Sequence, residues 1–454
     1  INLKNMQCQA AALLLAKPSK VRSFILNTSR SRFVRNVAVV ATGTAGAQAI
    51  TMAFSPIITR LYGPEAFGLL GMFTAIAAVI SPIAAFTYPI AIVLPKEDSE
   101  AKSIVKLSVY IALGVGAALI LFIIVADDWL ASLLRSQEIG PFMLLIPISV
   151  FFSALLQIAE QWLIRIKQFS IIARAAVLQV LMVNSLKTAI GLFKPVASVL
   201  IVLAILGSVI NAGMLALGIK KVCTHPNEKE SDSQTSLWKV AKRHYDFPLY
   251  RAPQDLLNAA SLSLPTLMLA AFFGPIAVGF YTLGVRMLSM PSQLIGKSVG
   301  DVFYPRIAEA AHNRENLTKL TLKATLSLAA VGFVPFAVVI AFGPWLFGFV
   351  FGSDWVMAGE YARWLATWMY FLFMNNPSIK VLPIISAQGF HLVFTIFTIA
   401  IRLVVLAVGY YIFKSDLIAV GLFGISGAII NITLIIIILF LCSKFDKDNQ
   451  VVYR

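Results

Sequence analysis

Charged residues and cysteines are scarce in this 454-residue chain. Charged side chains make up 13% of it, whereas soluble globular domains contain about 25%, so most of the chain must face lipid or other helices. The three cysteines, Cys8, Cys223 and Cys442, are far apart, and the four histidines are equally scattered. This spacing favours neither a disulfide framework nor a zinc or haem site, and no cofactor is predicted.

Motifs for catalysis are also missing. The sequence has no GxxxxGK[ST] loop, which excludes a P-loop ATPase site. A membrane glycosyltransferase should have an acidic metal-binding pair on the side of the nucleotide sugars. The adjacent pair Asp127 and Asp128 falls on the opposite side in the topology predicted below. The sequence therefore predicts a protein that is not an enzyme.

Apolar residues are abundant instead. They make up 59% of the chain, the mean hydropathy is +0.84, and they recur in stretches long enough to cross a ~30 Å hydrocarbon core as helix. Strand-like alternation is absent. We predict an all-α polytopic membrane protein whose twelve transmembrane helices lie near residues 36–59, 66–94, 103–126, 139–163, 170–193, 196–219, 248–272, 276–304, 322–350, 357–383, 390–413 and 417–442.

The basic residues predict the orientation of these helices. If the amino terminus is cytoplasmic, 26 of the 37 lysines and arginines fall in cytoplasmic segments, five lie outside and six lie within spans. The positive-inside rule therefore puts both termini in the cytoplasm. Because the net charge of +16 is spread over loops rather than gathered on one basic domain, a nucleic-acid partner is not expected.

Two turns of similar sequence indicate an internal duplication. Residues 60–68 read Arg-Leu-Tyr-Gly-Pro-Glu-Ala-Phe-Gly, and residues 273–279 read Phe-Gly-Pro-Ile-Ala-Val-Gly. Proline after glycine ends one helix and begins the next, and the second glycine allows close helix packing. Six spans separate the copies, so we predict a parallel repeat of two six-helix bundles. The predicted domains are a basic tail (1–34), the first bundle (35–219), a cytoplasmic linker (220–247), the second bundle (248–443) and a cytoplasmic tail (444–454).

Ionisable residues within the spans are the candidate functional residues, because each costs about 2.5–3.5 kcal/mol to insert. The candidate cavity cations, together with Arg60 beside the first turn, are Lys187, Arg251, Arg286, Lys297 and Arg402. The candidate gate or ion-coupling acids are Glu160, Asp255 and Asp301.

Two different interpretations apply to these charges. The pairs Arg251/Asp255 and Lys297/Asp301 have i,i+4 spacing, so local ion pairs are the simpler explanation. Arg286 lies near the midplane, where it could bond backbone carbonyls or bind a phosphate-bearing anion through its guanidinium fork. An interfacial belt is predicted for most of Trp345, Trp355, Trp364, Trp368 and Tyr370, and stacking against sugar rings is the alternative.

The turn at residues 59–69 resembles the first-loop signature of polysaccharide transporters in the multidrug/oligosaccharidyl-lipid/polysaccharide (MOP) exporter superfamily. The second copy, continuing to Tyr281 and Arg286, is similar to the seventh-to-eighth helix segment of that family. The resemblance implies an O-antigen-type flippase in the bacterial inner membrane. It would move undecaprenyl-diphosphate-linked oligosaccharide outward by alternating access around a basic cavity.

Further properties follow from the resemblance alone. It implies that Arg286 is the cavity arginine of span eight. The partners implied are lipid-linked oligosaccharide, membrane lipid, a polysaccharide polymerase and chain-length proteins, and the chain is expected to be a monomer.

Two other function classes remain open at this point. A drug or cation antiporter of the same superfamily would need deep acidic residues, whereas the deep charges here are positive. A membrane scaffold for glycan assembly would have no need of the buried arginines.

Overall fold

The computed structural model describes residues 32–126, 139–223, 236–292 and 297–451. Most of the predicted basic tail, the acidic pair Asp127 and Asp128, and linker residues 224–235 lie outside the described residues. Within the described ranges the regular elements are helices, as the composition predicts.

Twelve of the described helices have at least 17 residues. Their bounds are α1 Arg32–Leu61, α2 Pro64–Ile80, α3 Asp98–Val125, α4 Leu145–Arg165, α5 Phe169–Gly191, α6 Ala197–Cys223, α7 Ala252–Phe273, α8 Pro275–Pro291, α9 Leu317–Phe351, α10 Val356–Met374, α11 Gln388–Tyr411 and α12 Asp416–Val451. In the part of the chain that the structure describes, nine helical segments are long and apolar enough to cross a membrane. A multi-pass membrane protein is confirmed, while the number of twelve crossings stays a prediction.

The two Gly-Pro turns begin α2 and α8 in the same way. Pro64 and Pro275 each occupy the first turn of their helix, where the missing N–H costs no helical hydrogen bond. Gly274 has a φ of 82°, a value that L residues with a side chain rarely adopt. These turns define one end of the molecule, here named the turn end.

Helices α2 and α8 pack backbone against backbone just below these turns. A Cβ atom on Gly68 would overlap the carbonyl oxygen of Pro275, and a Cβ on Gly279 would overlap that of Pro64. The contact is therefore reciprocal, with each helix placing its own glycine against the other's first residue. Small residues at such crossings let transmembrane helices approach closely.

The remaining helices pack around this contact in two groups. Apart from α2, α7 and α8, which pack extensively across the boundary, each helix packs mainly within its own group, α1 to α6 or α7 to α12. The groups meet where α2 contacts α7 and α8, and where α1 contacts α9. A continuous core of buried apolar side chains crosses this boundary.

Prolines lie at the ends of α2 and α8. Helix α2 ends at Ile80 and is followed by a 3₁₀ turn over Ser81–Ile83 and a short helix over Tyr88–Ala91. Helix α8 ends at Pro291, and a 16-residue helix, Lys297–His312, follows it.

The opposite end, here named the linker end, is held by polar contacts. Arg165 forms an ion pair with Asp98 at 2.7 Å. Glu100 accepts from Arg243 at 3.1 Å and lies 3.3 Å from the ring of His244. The Glu100 contacts fasten a short helix, Leu237–Arg243, to the beginning of α3, and the Arg165–Asp98 pair joins the end of α4 to it.

The glycine contact predicts a selective effect of adding a methyl group. Gly68→Ala should lower the melting temperature of the purified protein, because an overpacked site of this kind costs about 1–3 kcal/mol. Gly63→Ala is the matched control, since a Cβ at Gly63 meets nothing within 4 Å. Thermal unfolding of both variants in the same detergent tests the contact, and equal melting temperatures would contradict it.

Candidate functional site

A cavity of about 340 Å³, here named the central cavity, lies between α1, α5 and α8, at the boundary of the two helix groups. Helix α1 contributes Thr44, Gln48 and Thr51, and α8 contributes Arg286 and Ser289. The described lining includes a guanidinium, an amide and three hydroxyls but no carboxylate. Such a surface suits an anionic ligand that also carries hydroxyl groups.

Arg286 is the cation of this cavity. It is the twelfth residue of α8, so it lies about 16 Å along the axis from Pro275. That distance is close to half of a ~30 Å hydrocarbon core. Arg286 thus lines a cavity at about mid-depth, and its role in substrate binding stays a prediction.

Lys187 of α5 lies close enough to Arg286 for the two charges to repel each other. Its backbone carbonyl accepts a hydrogen bond from the Tyr62 hydroxyl at 2.9 Å. Lys187 is not among the described residues that line the cavity, so it acts on the cavity through its charge rather than by contact. Like charges close to each other in a low-dielectric region raise the local positive potential, which an anion would relieve.

The polar residues of α1 are the part of the cavity that the sequence analysis missed. Thr44, Gln48 and Thr51 recur at i, i+4 and i+7, the spacing of one helix face. Within an otherwise apolar span this stripe is a recognisable pattern. Because its members are neutral, the insertion cost that singles out ionisable residues does not single out this stripe.

Arg402 packs in a different environment. Its guanidinium carbon lies 5.0 Å from the centre of the Trp368 ring and 5.3 Å from that of Phe423. Cation–π contacts of this kind are worth about 2 kcal/mol or more when shielded from water. Arg402 is not among the cavity-lining residues, so its charge is stabilised here by aromatic faces.

Arg60 reaches across the boundary at the turn end. One of its terminal nitrogens donates to the carbonyl oxygen of Phe349 in α9 at 2.6 Å. Nearby, the indole nitrogen of Trp355 donates to the carbonyl of Thr59 at 2.9 Å. We call these two hydrogen bonds the turn-end latch, because each joins the two helix groups.

The predicted aromatic belt is wrong for two of its members. Trp355 and Trp368 are buried in the core, where Trp355 contacts Phe67 edge to face at 5.2 Å and Trp368 contacts Arg402. Trp345 and Trp364 are exposed, as a belt requires. Composition cannot distinguish an inward-facing tryptophan from an outward-facing one on the same span.

The other candidate residues lie toward the linker end. Arg251 and Asp255 form the expected i,i+4 ion pair at 3.1 Å. Glu160 lies five residues before the end of α4. The side chains of Lys297 and Asp301 lie outside the described residues. Across the described ranges, no cluster of three His, Cys, Asp or Glu side chains could hold a metal ion.

Comparison with known proteins identifies the family and the fold. The family described as "polysaccharide biosynthesis protein" matches residues 57–359, which is more than half of the chain. No curated protein matches at a significant level.

Solved structures with this fold include several transporters. An inward-facing multidrug resistance MATE family transporter of the MOP superfamily has a TM-score of 0.65 at 16% identity, covering 91% of this chain and 99% of its own. Lipid II flippase MurJ, in an inward closed conformation, has a TM-score of 0.66 at 12% identity, covering 91% of each chain. An outward-facing multidrug resistance MATE family transporter of the MOP superfamily has a TM-score of 0.51 at 16% identity, covering 96% of this chain and 97% of its own.

The charge of the cavity predicts a preference among thiol reagents. In a variant with Cys8, Cys223 and Cys442 replaced by Ser, Gln48→Cys should react faster with an anionic methanethiosulfonate than with a cationic one. The difference should be roughly tenfold, equivalent to about 1.4 kcal/mol.

Adding Arg286→Ala should abolish this preference. Ser353→Cys, an exposed position near the turn end, is the control whose reagent preference should not depend on Arg286. If the preference at Gln48→Cys survives Arg286→Ala, the arginine does not set the potential of the cavity.

Proposed function

Because this chain belongs to the polysaccharide biosynthesis protein family, we propose that it is a flippase for oligosaccharide linked to undecaprenyl diphosphate. The observation that carries the proposal is the cavity at the helix-group boundary, in which Arg286 lies with Lys187 nearby. A diphosphate needs fixed positive charge to leave water, and the guanidinium fork matches phosphate oxygens. The sugars would meet the hydroxyls and amide of α1.

The direction of transport follows from charge and membrane potential. With both termini cytoplasmic, in a bacterial inner membrane, outward movement of an anion is favoured by about 2.3 kcal/mol per charge per 100 mV. No ATP site is needed. The lipid tail would stay in the bilayer while the diphosphate and sugars cross inside the protein.

Alternating access would occur between two six-helix bundles that are copies of one repeat. The turn end is closed by the α2–α8 contact and by the turn-end latch, in which Arg60 takes part. In the proposed cycle these contacts open to release the product outside and re-form afterwards. Arg402, held by Trp368 and Phe423, would serve the second bundle as a packed cation rather than as a ligand of the substrate.

At the cytoplasmic end, the candidate gate and ion-coupling residues are Glu160 and the pairs Arg251/Asp255 and Lys297/Asp301. The protein would act as a monomer beside a polysaccharide polymerase and chain-length proteins. A drug or cation exporter is disfavoured, because the described cavity lining has no carboxylate to bind a cation.

Replacing Arg286 tests the substrate-binding role. Arg286→Ala should lower surface glycan at unchanged protein level, because the diphosphate loses its cationic partner. Lys194→Ala, an exposed lysine in the segment between α5 and α6, is the control and should leave glycan display unchanged. Immunoblots of membranes and of surface glycan provide the measurement, and normal display by Arg286→Ala would remove this residue from the mechanism.

Deleting the protein tests the flippase activity itself. Lipid-linked oligosaccharide should accumulate on the cytoplasmic leaflet of the deletion strain, measured by labelling the glycan in inside-out and right-side-out vesicles. Pools that are unchanged in size and sidedness would refute the flippase and favour a scaffold role.

A disulfide across α2 and α8 tests alternating access. In the cysteine-free background, a Cβ on Gly71 would lie 3.5 Å from the Cβ of Thr282, within the range of about 3.5–4.5 Å for disulfides. Oxidising Gly71→Cys with Thr282→Cys should stop transport, and reductant should restore it.

The matched control joins two helices of the same group. A Cβ on Gly218 would lie 3.7 Å from that of Ile171, so Gly218→Cys with Ile171→Cys crosslinks α5 to α6. This second disulfide should leave transport intact. Full activity with the α2–α8 disulfide formed would show that these helices need not separate.

A further inference from the structure

The chain that leads into α7 runs along the surface of the first helix group. We call residues 237–249 the strap. It contains the short helix Leu237–Arg243, a turn, and the first residues of a π-helical segment, Phe247–Arg251. The N–H of Leu249 donates to the carbonyl of Tyr245 at 3.2 Å, so the backbone stays close to helical beyond the turn. Residues that are three, four or seven positions apart in the strap therefore share one face.

The first face of the strap packs against the first helix group. Val240 is 1% exposed and belongs to an apolar cluster with residues of α3 and α4. The hydroxyl of Tyr88 donates to the carbonyl of Ala241 at 3.2 Å. The hydroxyl of Thr87 donates to the carbonyl of Phe247 at 3.2 Å. Together with the ion pair of the short helix described above, these bonds fix the rotation of the strap about its axis.

The second face presents large apolar side chains to the surroundings. Trp238 is 78% exposed, Tyr245 57% and Leu249 55%. Lys242 is also exposed and lies between the two aromatic residues. Successive spacings of four, three and four residues place these side chains on one line, here named the aromatic stripe. Contiguous exposed apolar surface of this kind marks an interaction site.

The third face of the strap is charged. Lys239, Arg243 and Asp246 are exposed, with spacings of four and three residues. Charged and aromatic side chains are therefore separated onto different faces, although both faces are exposed. A segment surrounded by water gains nothing from this separation, whereas a segment at a membrane surface has water on one side and lipid on another.

The strap lies at the depth where hydrocarbon gives way to headgroups. Arg243 forms an ion pair at 3.1 Å with Glu100 in the first turn of α3, and a second ion pair lies at the end of α4. Charges are costly inside hydrocarbon, so these pairs mark its boundary. The segment Phe247–Phe273, which is long and apolar enough to cross a membrane, begins within the strap. Leu249 therefore connects the aromatic stripe to the exposed surface of that segment.

The aromatic stripe has the composition of a lipid-interface contact. Tryptophan and tyrosine are enriched where headgroups meet acyl chains, because their rings are apolar and their N–H or O–H groups are polar. A lysine between them can extend its ammonium group to phosphate oxygens while its methylene stem stays on apolar surface. Every phospholipid carries this phosphate, so the rings rather than a net charge identify the partner.

From the three faces and the depth of the strap we infer that the aromatic stripe binds the phospholipid interface of the leaflet at the linker end. Trp238 and Tyr245 lie between headgroups and upper acyl chains, and Lys242 contacts a lipid phosphate. The strap is thereby held by the first helix group on one side and by lipid on another. The last residues of the predicted linker then belong to the membrane surface, and the inference does not depend on the substrate of the central cavity.

Depth measurements on the spin-labelled full chain in phospholipid nanodiscs test this inference. In the cysteine-free background, labels at Trp238→Cys and Tyr245→Cys should collide with oxygen, which concentrates in lipid, more than with a water-soluble nickel chelate.

Lys239→Cys is the matched control, because this residue is exposed on the same short helix but belongs to the charged face. The ratio of oxygen to chelate collisions should be several-fold higher on the aromatic stripe than at this control. Equal ratios at the three positions would overturn the inference.

Tryptophan fluorescence tests the site with the aromatic stripe intact. Phospholipids brominated near the headgroup end of the acyl chain should quench the emission of Trp238, obtained as the difference between the wild type and Trp238→Phe. Bromines at the end of the acyl chain should quench it less, because the ring lies near the headgroups. If neither lipid quenches this emission, the stripe lies in water, as the surface for a soluble partner would, and the inference is overturned.

Discussion

The close contact of α2 with α8 is the constraint on which the arrangement of the helices depends. Gly68 and Gly279 carry no side chain where each meets the backbone of the opposite turn. In a membrane, where lipid is as apolar as the side chains, packing of this kind supplies much of the attraction between helices. The contact closes the turn end. The central cavity lies further along α8, toward the middle of the membrane.

The polar lining of the central cavity is explained by the cost of burying the charge of Arg286. Arg286 lies about three helical turns below the contact, where an unpaired guanidinium is tolerated only next to polar groups or a ligand. The structure places it beside the polar face of α1 and near Lys187. The buried charge of Arg402 is stabilised differently, by cation–π contacts with the ring faces of Trp368 and Phe423. Two arginines of similar depth thus have different surroundings.

Much of the fold could be predicted because its causes are local. Gly-Pro ends one helix and begins the next at both turns that the sequence predicts, although Gly343-Pro344 lies inside α9. Arg251 and Asp255 pair because four residues separate them on one helix. The candidate site was less predictable. Thr44 and Gln48 were missed, and Trp355 was assigned to the interface although it is buried.

By itself the sequence determined that the chain is a helical membrane protein with two similar turns and buried cations, because composition and periodicity along one helix carry that information. Only the tertiary structure decided which cations face a cavity. Arg60, Arg286 and Arg402 are three arginines that lie within or beside predicted spans, yet their surroundings differ. Arg60 donates to Phe349 across the helix groups, Arg286 lines the cavity and Arg402 is enclosed by aromatic rings. The physical reason is that a side chain's partners come from helices far apart in the chain, and the rotation of each helix is set by packing.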